Sequence, residues 1–313
     1  MRKMLIVVCL GMVIALSACG SRIPPSNHIV IGSTRTIYAI DEKGAEISIS
    51  LPFSYYDVDA PSSRAQWSPN HEWVIYQTEE TASPDDPKVF IVKADGTKKF
   101  ELTNHDQRSG RDPVWSPDGN QIAASFWNGF WDSNGTDGIY IVDVSCLAKG
   151  QDCIFEYRFI VKGATPSWSF DGKQLAFLSP DKQVSVVSID NPRDVKIISP
   201  SDVKCRELAW SPVNNEIAAS CHDSNPGAGI SLMNSDGSNF RRITFDSRDI
   251  SPIWSPDGTK IAFISDKNNT ATPMPSLSSQ YTAVFIMNRD GSGVKQISPY
   301  DNEDVYWITW VSP

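Results

Sequence analysis

Three arginine–carboxylate pairs stand just upstream of a recurring tryptophan: Arg111-Asp112, Arg206-Glu207 and Arg248-Asp249, with Arg108 and Tyr55-Tyr56-Asp57 in equivalent connections. Carboxylates that converge can divide acid and base work on a glycosidic bond, and guanidinium groups can hold an anionic or hydroxylated ligand. An arginine beside an acid can equally be a rim ion pair of small energetic value. The most aromatic stretch is Phe126-Trp127-Asn128-Gly129-Phe130-Trp131-Asp132. Trp127 and Trp131 could stack on a sugar or anchor a protein partner, or roof a small satellite core. The candidate binding residues are therefore Tyr56, Asp57, Arg111, Asp112, Trp127, Trp131, Arg248 and Asp249.

Other chemistry is thinly supplied. Asp132-Ser133-Asn134-Gly135-Thr136-Asp137-Gly138 spaces oxygen ligands loosely like a calcium loop but lacks its closing Glu, so an ordinary turn is the simpler reading and no metal is expected. The chain contains neither a Gly-x-Ser-x-Gly elbow nor a phosphate-cradling glycine loop, and its four histidines are scattered. No catalytic residue and no cofactor is expected. The leading reading is a non-catalytic binding module; the alternative is a carbohydrate-active hydrolase or lyase using Asp112 and Asp249.

The N-terminus carries one specific reactive group. Arg2 and Lys3 precede an apolar run from Met4 to Leu16, too short to span a bilayer as a helix but of the right length for a secretory leader. It ends Leu16-Ser17-Ala18-Cys19-Gly20, which resembles the bacterial lipobox, where the Cys thiol is acylated and the chain is cut just before it. A plain leader with an incidental Cys is the other reading. Residues 1–18 are thus expected to be a lipoprotein signal peptide, Cys19 the lipidation site and residues 19–28 a tether. Two or three acyl chains anchor stably where one does not. The expected address is the cell envelope: the outer membrane, facing periplasm or exterior, if the organism has two membranes.

The elements that must position the rim residues are set by a repeat. Trp67-Ser-Pro-Asn, Trp115-Ser-Pro-Asp-Gly, Trp168-Ser-Phe-Asp-Gly, Trp210-Ser-Pro-Val-Asn and Trp254-Ser-Pro-Asp-Gly recur, and the chain ends Trp310-Val-Ser-Pro. Pro presets the second position of a tight turn and Gly suits the fourth. Short apolar strands follow, such as Ile122-Ala-Ala, Leu175-Ala-Phe and Ile261-Ala-Phe, and then strands leading into Asp95-Gly96, Asp236-Gly237 and Asp290-Gly291 turns. Four strands per repeat of roughly 50 residues describe a β-propeller. Residues 29–44 read as later strands lacking their Trp strand, and Trp307-Ile-Thr-Trp310 as a Trp strand with nothing after it. Joined, they complete a sixth blade. The expected fold is all-β: one six-bladed propeller over residues 29–313, closed by pairing its terminal strands, with seven blades, one degenerate, as the alternative. The irregular insertions fall on one face of the ring, the usual mark of a binding face in repeat proteins.

These Trp-Ser-Pro-Asp-Gly repeats resemble those of the TolB-type β-propeller family over residues 29–313. The resemblance implies the fold; it implies little about the task, since propellers host many. TolB-type proteins carry an α/β domain ahead of the propeller and are soluble in the periplasm, whereas here the leader and lipobox stand in that place.

Cys205 and Cys221 flank the Trp210 turn and should face each other on paired strands, while Cys146 and Cys153 flank a short segment where another blade has its Asp-Gly turn. Both pairs are within disulfide reach if the register holds; otherwise all four are buried or loose thiols. The 313 residues hold 28 Lys+Arg and 37 Asp+Glu, net −9, and loss of residues 1–18 takes two bases and no acid, deepening this to −11. So acidic a chain disfavours nucleic acid and leaves a protein or glycan as partner, with the membrane reached through lipid rather than charge. A monomer is expected. If Cys19 is acylated, radiolabelled palmitate enters the wild type and not Cys19→Ser; equal labelling refutes lipidation.

Overall fold

The computed structural model describes residues 27–33, 37–47, 49, 61–78, 87–103, 109–127, 137–149, 153–223, 228–246, 248–266, 282–298 and 304–311. The chain opens with β1 (Ile29–Ser33), β2 (Ile37–Ile40) and β3 (Glu46–Ile47). Five complete blades follow. They are β4–β7 (Pro61–Trp67, Trp73–Thr78, Val89–Lys93, Lys99–Glu101) and β8–β11 (Ser109–Trp115, Gln121–Trp127, Gly138–Asp143, Glu156–Val161). Next come β12–β15 (Ala164–Trp168, Gln174–Leu178, Val184–Ser188, Val195–Ile197) and β16–β19 (Lys204–Trp210, Glu216–His222, Ala228–Asn234, Arg241–Arg242). The last is β20–β23 (Ile250–Trp254, Lys260–Ser265, Ala283–Asn288, Lys295–Gln296). Finally β24 (Val305–Trp310) returns to pair with β1, giving a sixth four-stranded sheet in the order β24-β1-β2-β3. The sequence expectation of six blades, closed by the terminal strands, holds. A single 3-10 turn, Ser145–Lys149, is the only helical segment among the described residues.

The core lies between blades rather than in one centre. Six buried apolar clusters form, one at each seam between adjacent blades. Strand alternation explains this: successive side chains point to opposite faces, so each blade feeds two seams. In β1, Ile29 and Ile31 pack toward Ile253, Ile264 and Val284, while Val30 packs toward Val74, Tyr76 and Phe90. Continuous runs such as Val74-Ile75-Tyr76 are apolar because both faces are covered.

The turns after Trp115, Trp168 and Trp254 work through their Ser and Asp as much as through Pro and Gly. Ser116 Oγ donates to Asp118 Oδ1 (2.6 Å) and accepts from Gln121 N (2.9 Å), and Gly119 N closes on Ser116 O (2.9 Å). Ser255 and Asp257 repeat the arrangement at 2.6 Å, Ser169 and Asp171 at 2.7 Å, and Ser68 with Asn70 at 2.7 Å. The hydroxyl proton given by Ser169 or Ser255 holds the Asp171 and Asp257 carboxyls below the ordinary aspartate value. Both disulfides are formed: Cys205 and Cys221 sit opposite each other in the β16–β17 ladder with Cα atoms 4.0 Å apart, and Cys146 and Cys153 lie 5.5 Å apart.

A depressed carboxyl stabilises the fold above its unfolded pKa, and that contribution disappears as pH falls through the folded value. Thr97 holds Asp95 at about 2 by the same kind of hydrogen bond. For Asp95 the expected window of acid loss therefore runs from the ordinary 3.8 down toward 2, and for Asp257 it opens at the same 3.8 and extends below it. Asp257→Asn, which copies the natural Ser68–Asn70 turn, should fold and should lose less stability than wild type in urea titrations as pH falls from 5 through 3.8 and below. An unchanged pH dependence would remove the turn carboxylate from this role.

Candidate functional site

Each innermost strand runs from the irregular rim to the turn face and ends on its tryptophan. Trp67, Trp115, Trp168, Trp210, Trp254 and Trp310 therefore meet around the channel axis, where they line a mouth of about 470 Å³. Pro69, Pro117, Phe170, Pro212 and Pro256 from the turns form its lip. His71 is the one ionisable side chain in its lining, which holds no carboxylate, amine, guanidinium or thiol. Such a surface can stack, exclude water and accept or donate neutral hydrogen bonds.

The indoles also tie the ring together. Trp115 Nε1–H donates to Gln66 O (3.2 Å), Trp168 to Val114 O (3.3 Å) and Trp254 to Ala209 O (3.0 Å). In each case the acceptor is the residue before the tryptophan of the preceding blade. Trp210 instead bonds Asn214 O in its own turn (3.1 Å), the turn that reads Pro-Val-Asn in place of Pro-Asp-Gly. Trp67 and Trp310, on either side of the seam after the closing blade, have Nε1 atoms with no acceptor. Those two are half-buried, whereas the other four are 5–9% exposed. The closing blade thus leaves the mouth asymmetric, with its most available aromatic surface on Trp67 and Trp310.

At the opposite rim, Arg111 and Trp127 lie on neighbouring strands β8 and β9, and the guanidinium carbon sits 5.1 Å from the indole ring centroid. That is a cation–π contact at an accessible site, because Arg111 is exposed and Trp127 half-buried. Asp112 follows in the left-handed region (φ 52°) at a bulge in β8, and its N–H donates to Gln77 Oε1 of the preceding blade (3.1 Å). Thr165 and Ser251 take the same conformation, each followed by Pro and a residue before Trp, so the bulge is a repeated device of the innermost strands.

Arg248 is clamped by two carboxylates. Its Nε lies 3.0 Å from Asp246 Oδ1 and 2.8 Å from Asp266 Oδ1, and the Asp246 hydrogen bond holds it charged. Burial pushes the Asp266 carboxyl up, opposed by the Arg248 charge. Asp249, by contrast, is 1% exposed; its carbonyl accepts from Ser220 Oγ (3.1 Å). The sequence reading placed Asp112 and Asp249 together as channel-mouth acids; the enclosed Asp249 cannot face a solute, and the neighbouring acids that do approach each other are Asp246 and Asp266, with an arginine between them. Tyr56, Asp57, Trp131 and Cys19 lie outside the described residues. The sequence reading used the six repeat tryptophans to define the blades and kept Trp127 and Trp131 as its aromatic binding candidates. The six repeat tryptophans are also the mouth, and the signal was present: one indole at the same end of every innermost strand must converge on the axis.

Among solved structures, TolB from Acinetobacter baumannii superposes with a TM-score of 0.65 at 17% identity, over 93% of this chain and 68% of that one. A putative TolB from Agrobacterium tumefaciens gives 0.58 at 18%, over 91% and 98%. An oligogalacturonate lyase in complex with manganese gives 0.51 at 11%, over 89% and 74%. No family model matches the sequence. The architecture is that of a TolB-like six-bladed propeller, as the sequence resemblance implied.

The indole bonds should be measurable. Trp115→Phe removes a buried N–H donor that has a partner, and Trp67→Phe one that has none. The first should cost about 1 kcal/mol more than the second in urea unfolding, the worth of one net hydrogen bond. Equal losses would deny the inter-blade bond any role.

Proposed function

We propose that the protein is a non-catalytic binding module of the bacterial cell envelope, held at a membrane by lipid on Cys19 and taking a protein or glycan partner. The observation that carries this reading is the tryptophan-lined mouth: rigid, aromatic and free of acid–base pairs among its lining residues. Rigid aromatics on fixed strands bind with little loss of side-chain entropy, and proline lips add apolar surface that is already ordered. The TolB-like fold fits a binding role generally. On the opposite rim, Arg111 and Trp127 offer a second, charged contact surface. With Asp112 and Arg248, and with Tyr56, Asp57 and Trp131, they remain the proposed rim-side recognition set; Asp249 belongs to it only as a buried support. The chain is read as acting alone, as a monomer, without metal or cofactor.

Crosslinking of intact cells followed by mass spectrometry tests this. The expected result is a reproducible envelope partner whose crosslinks map to one mouth or the other. A Trp67→Ala/Trp310→Ala double variant should reduce capture at least tenfold if the tryptophan mouth is used, with Arg111→Ala/Trp127→Ala as the rim counterpart. Absence of any partner above background, together with turnover in a polysaccharide panel abolished by Asp112→Asn, would replace the binding reading with a carbohydrate-active enzyme.

A further inference from the structure

The route by which the chain leaves the ring bears on how an anchored molecule must stand. Asn27 N–H donates to Val311 O at 3.0 Å, and Val311 N–H donates to His28 O at 2.9 Å. Val311 itself lines the tryptophan mouth. The polypeptide ahead of residue 27 therefore departs from the turn face, close to the channel axis, and not from the irregular rim.

Eight residue steps separate Cys19 from Asn27. Fully stretched they reach about 28 Å, and as a flexible coil they average about 16 Å. To bring Cys19 level with the irregular rim, the tether must first cross β2 and β3 to the blade edge, two spacings of about 4.8 Å. It must then run the height of the closing blade, whose longest strand, β24, has six residues, making a path of about 27 Å before any loop is cleared. The path uses up about the whole stretched length, ~28 Å, and far exceeds the coil average of about 16 Å.

We infer that the tryptophan face is the membrane-facing surface of the lipidated protein, with the Arg111–Trp127–Arg248 rim turned away from the bilayer. This rests on acylation of Cys19 as proposed above. Two exposed apolar turn residues suit the assignment: Phe170 and Val213 stand at 42% and 48% exposure on this face, at positions where sister turns carry Pro or Asp. A ligand of the mouth then has to come through the gap between ring and bilayer, whose height the tether sets, whereas a ligand of the opposite rim meets open solvent.

The test uses full-length acylated protein reconstituted into phosphatidylethanolamine/phosphatidylglycerol vesicles that contain a rhodamine headgroup acceptor. Since Cys146, Cys153, Cys205 and Cys221 are paired in disulfides, one donor dye can be placed by Val213→Cys on the tryptophan face or by Phe245→Cys on the irregular rim, where Phe245 is 80% exposed. The faces are about 20 Å apart, so energy transfer from position 213 should exceed that from 245 by about threefold. Inserting a twenty-residue Gly/Ser segment after Pro25 should bring the two close to equal. Equal or reversed transfer with the native tether overturns the orientation, and so does a difference that survives the insertion. Flotation with the vesicles is scored first: protein that fails to float overturns the lipid anchor, and the orientation with it, before any transfer is read.

Discussion

Closure of the ring depends on a ladder between residues at the two ends of the propeller: Ile29 opposite Trp310, Val30 opposite Thr309, Ile31 opposite Ile308 and Gly32 opposite Trp307. Every other blade is made of contiguous chain, so this is the one sheet that must wait for both ends to be present. Gly32 is what lets the strands approach. A Cβ there would stand 2.1 Å from the Trp307 ring, which lies across the glycine and fills the seam toward β4. Two of the six apolar clusters contain residues from this blade, so losing the ladder would open two seams as well as two sheet edges. Pairings of such sequence separation are entropically late events in folding.

With the ring closed, blades are secured to their neighbours by polar ties on the turn face. The indole-to-carbonyl bonds act near the axis. Further out, Glu216 takes Arg241 from its own blade at 3.0 Å and Arg289 from the next. Glu216 is buried, yet the two guanidinium groups hold its carboxyl below the ordinary value. Lys260 reaches Glu42 across the seam to the closing blade, and Lys196 Nζ donates to Asp236 O at 2.7 Å. Apolar seams supply most of the burial; these contacts add polar ties between neighbouring blades on the turn face.

The blade count, the turn face and the closing pair were legible in the sequence because each follows from a repeating local rule: Pro and Gly in turns, period-two alternation in strands, and one Trp per unit. The disulfide at Cys205 and Cys221 was legible too, since their separation brackets a hairpin whose turn was known. Three-dimensional convergence was harder to read. Nothing in the order Arg248-Asp249 says that the arginine turns out to Asp246 and Asp266 while the next side chain is enclosed; that depends on the path between β19 and β20. The turn serine was passed over because its role, to accept from the first strand amide while donating to Asp or Asn two residues on, appears only once the turn is closed. Trp67 and Trp310 differ from their four sisters through the geometry of one blade built from two chain ends, which no single repeat reveals.

The β1–β24 ladder has a mechanical side as well. If Cys19 is acylated as proposed, drag on the protein enters β1 through Asn27, at the end of the strand and along its axis. Hydrogen bonds in an antiparallel ladder run perpendicular to the strands. A pull of this kind therefore loads the rungs between Ile29 and Ser33 together, in shear, on both the β24 and β2 sides. Had the tether entered from the side of the sheet, the same force would have unzipped the rungs in turn. For a protein acylated as proposed, the clasp that closes the ring would also be its tow point, loaded in shear rather than rung by rung.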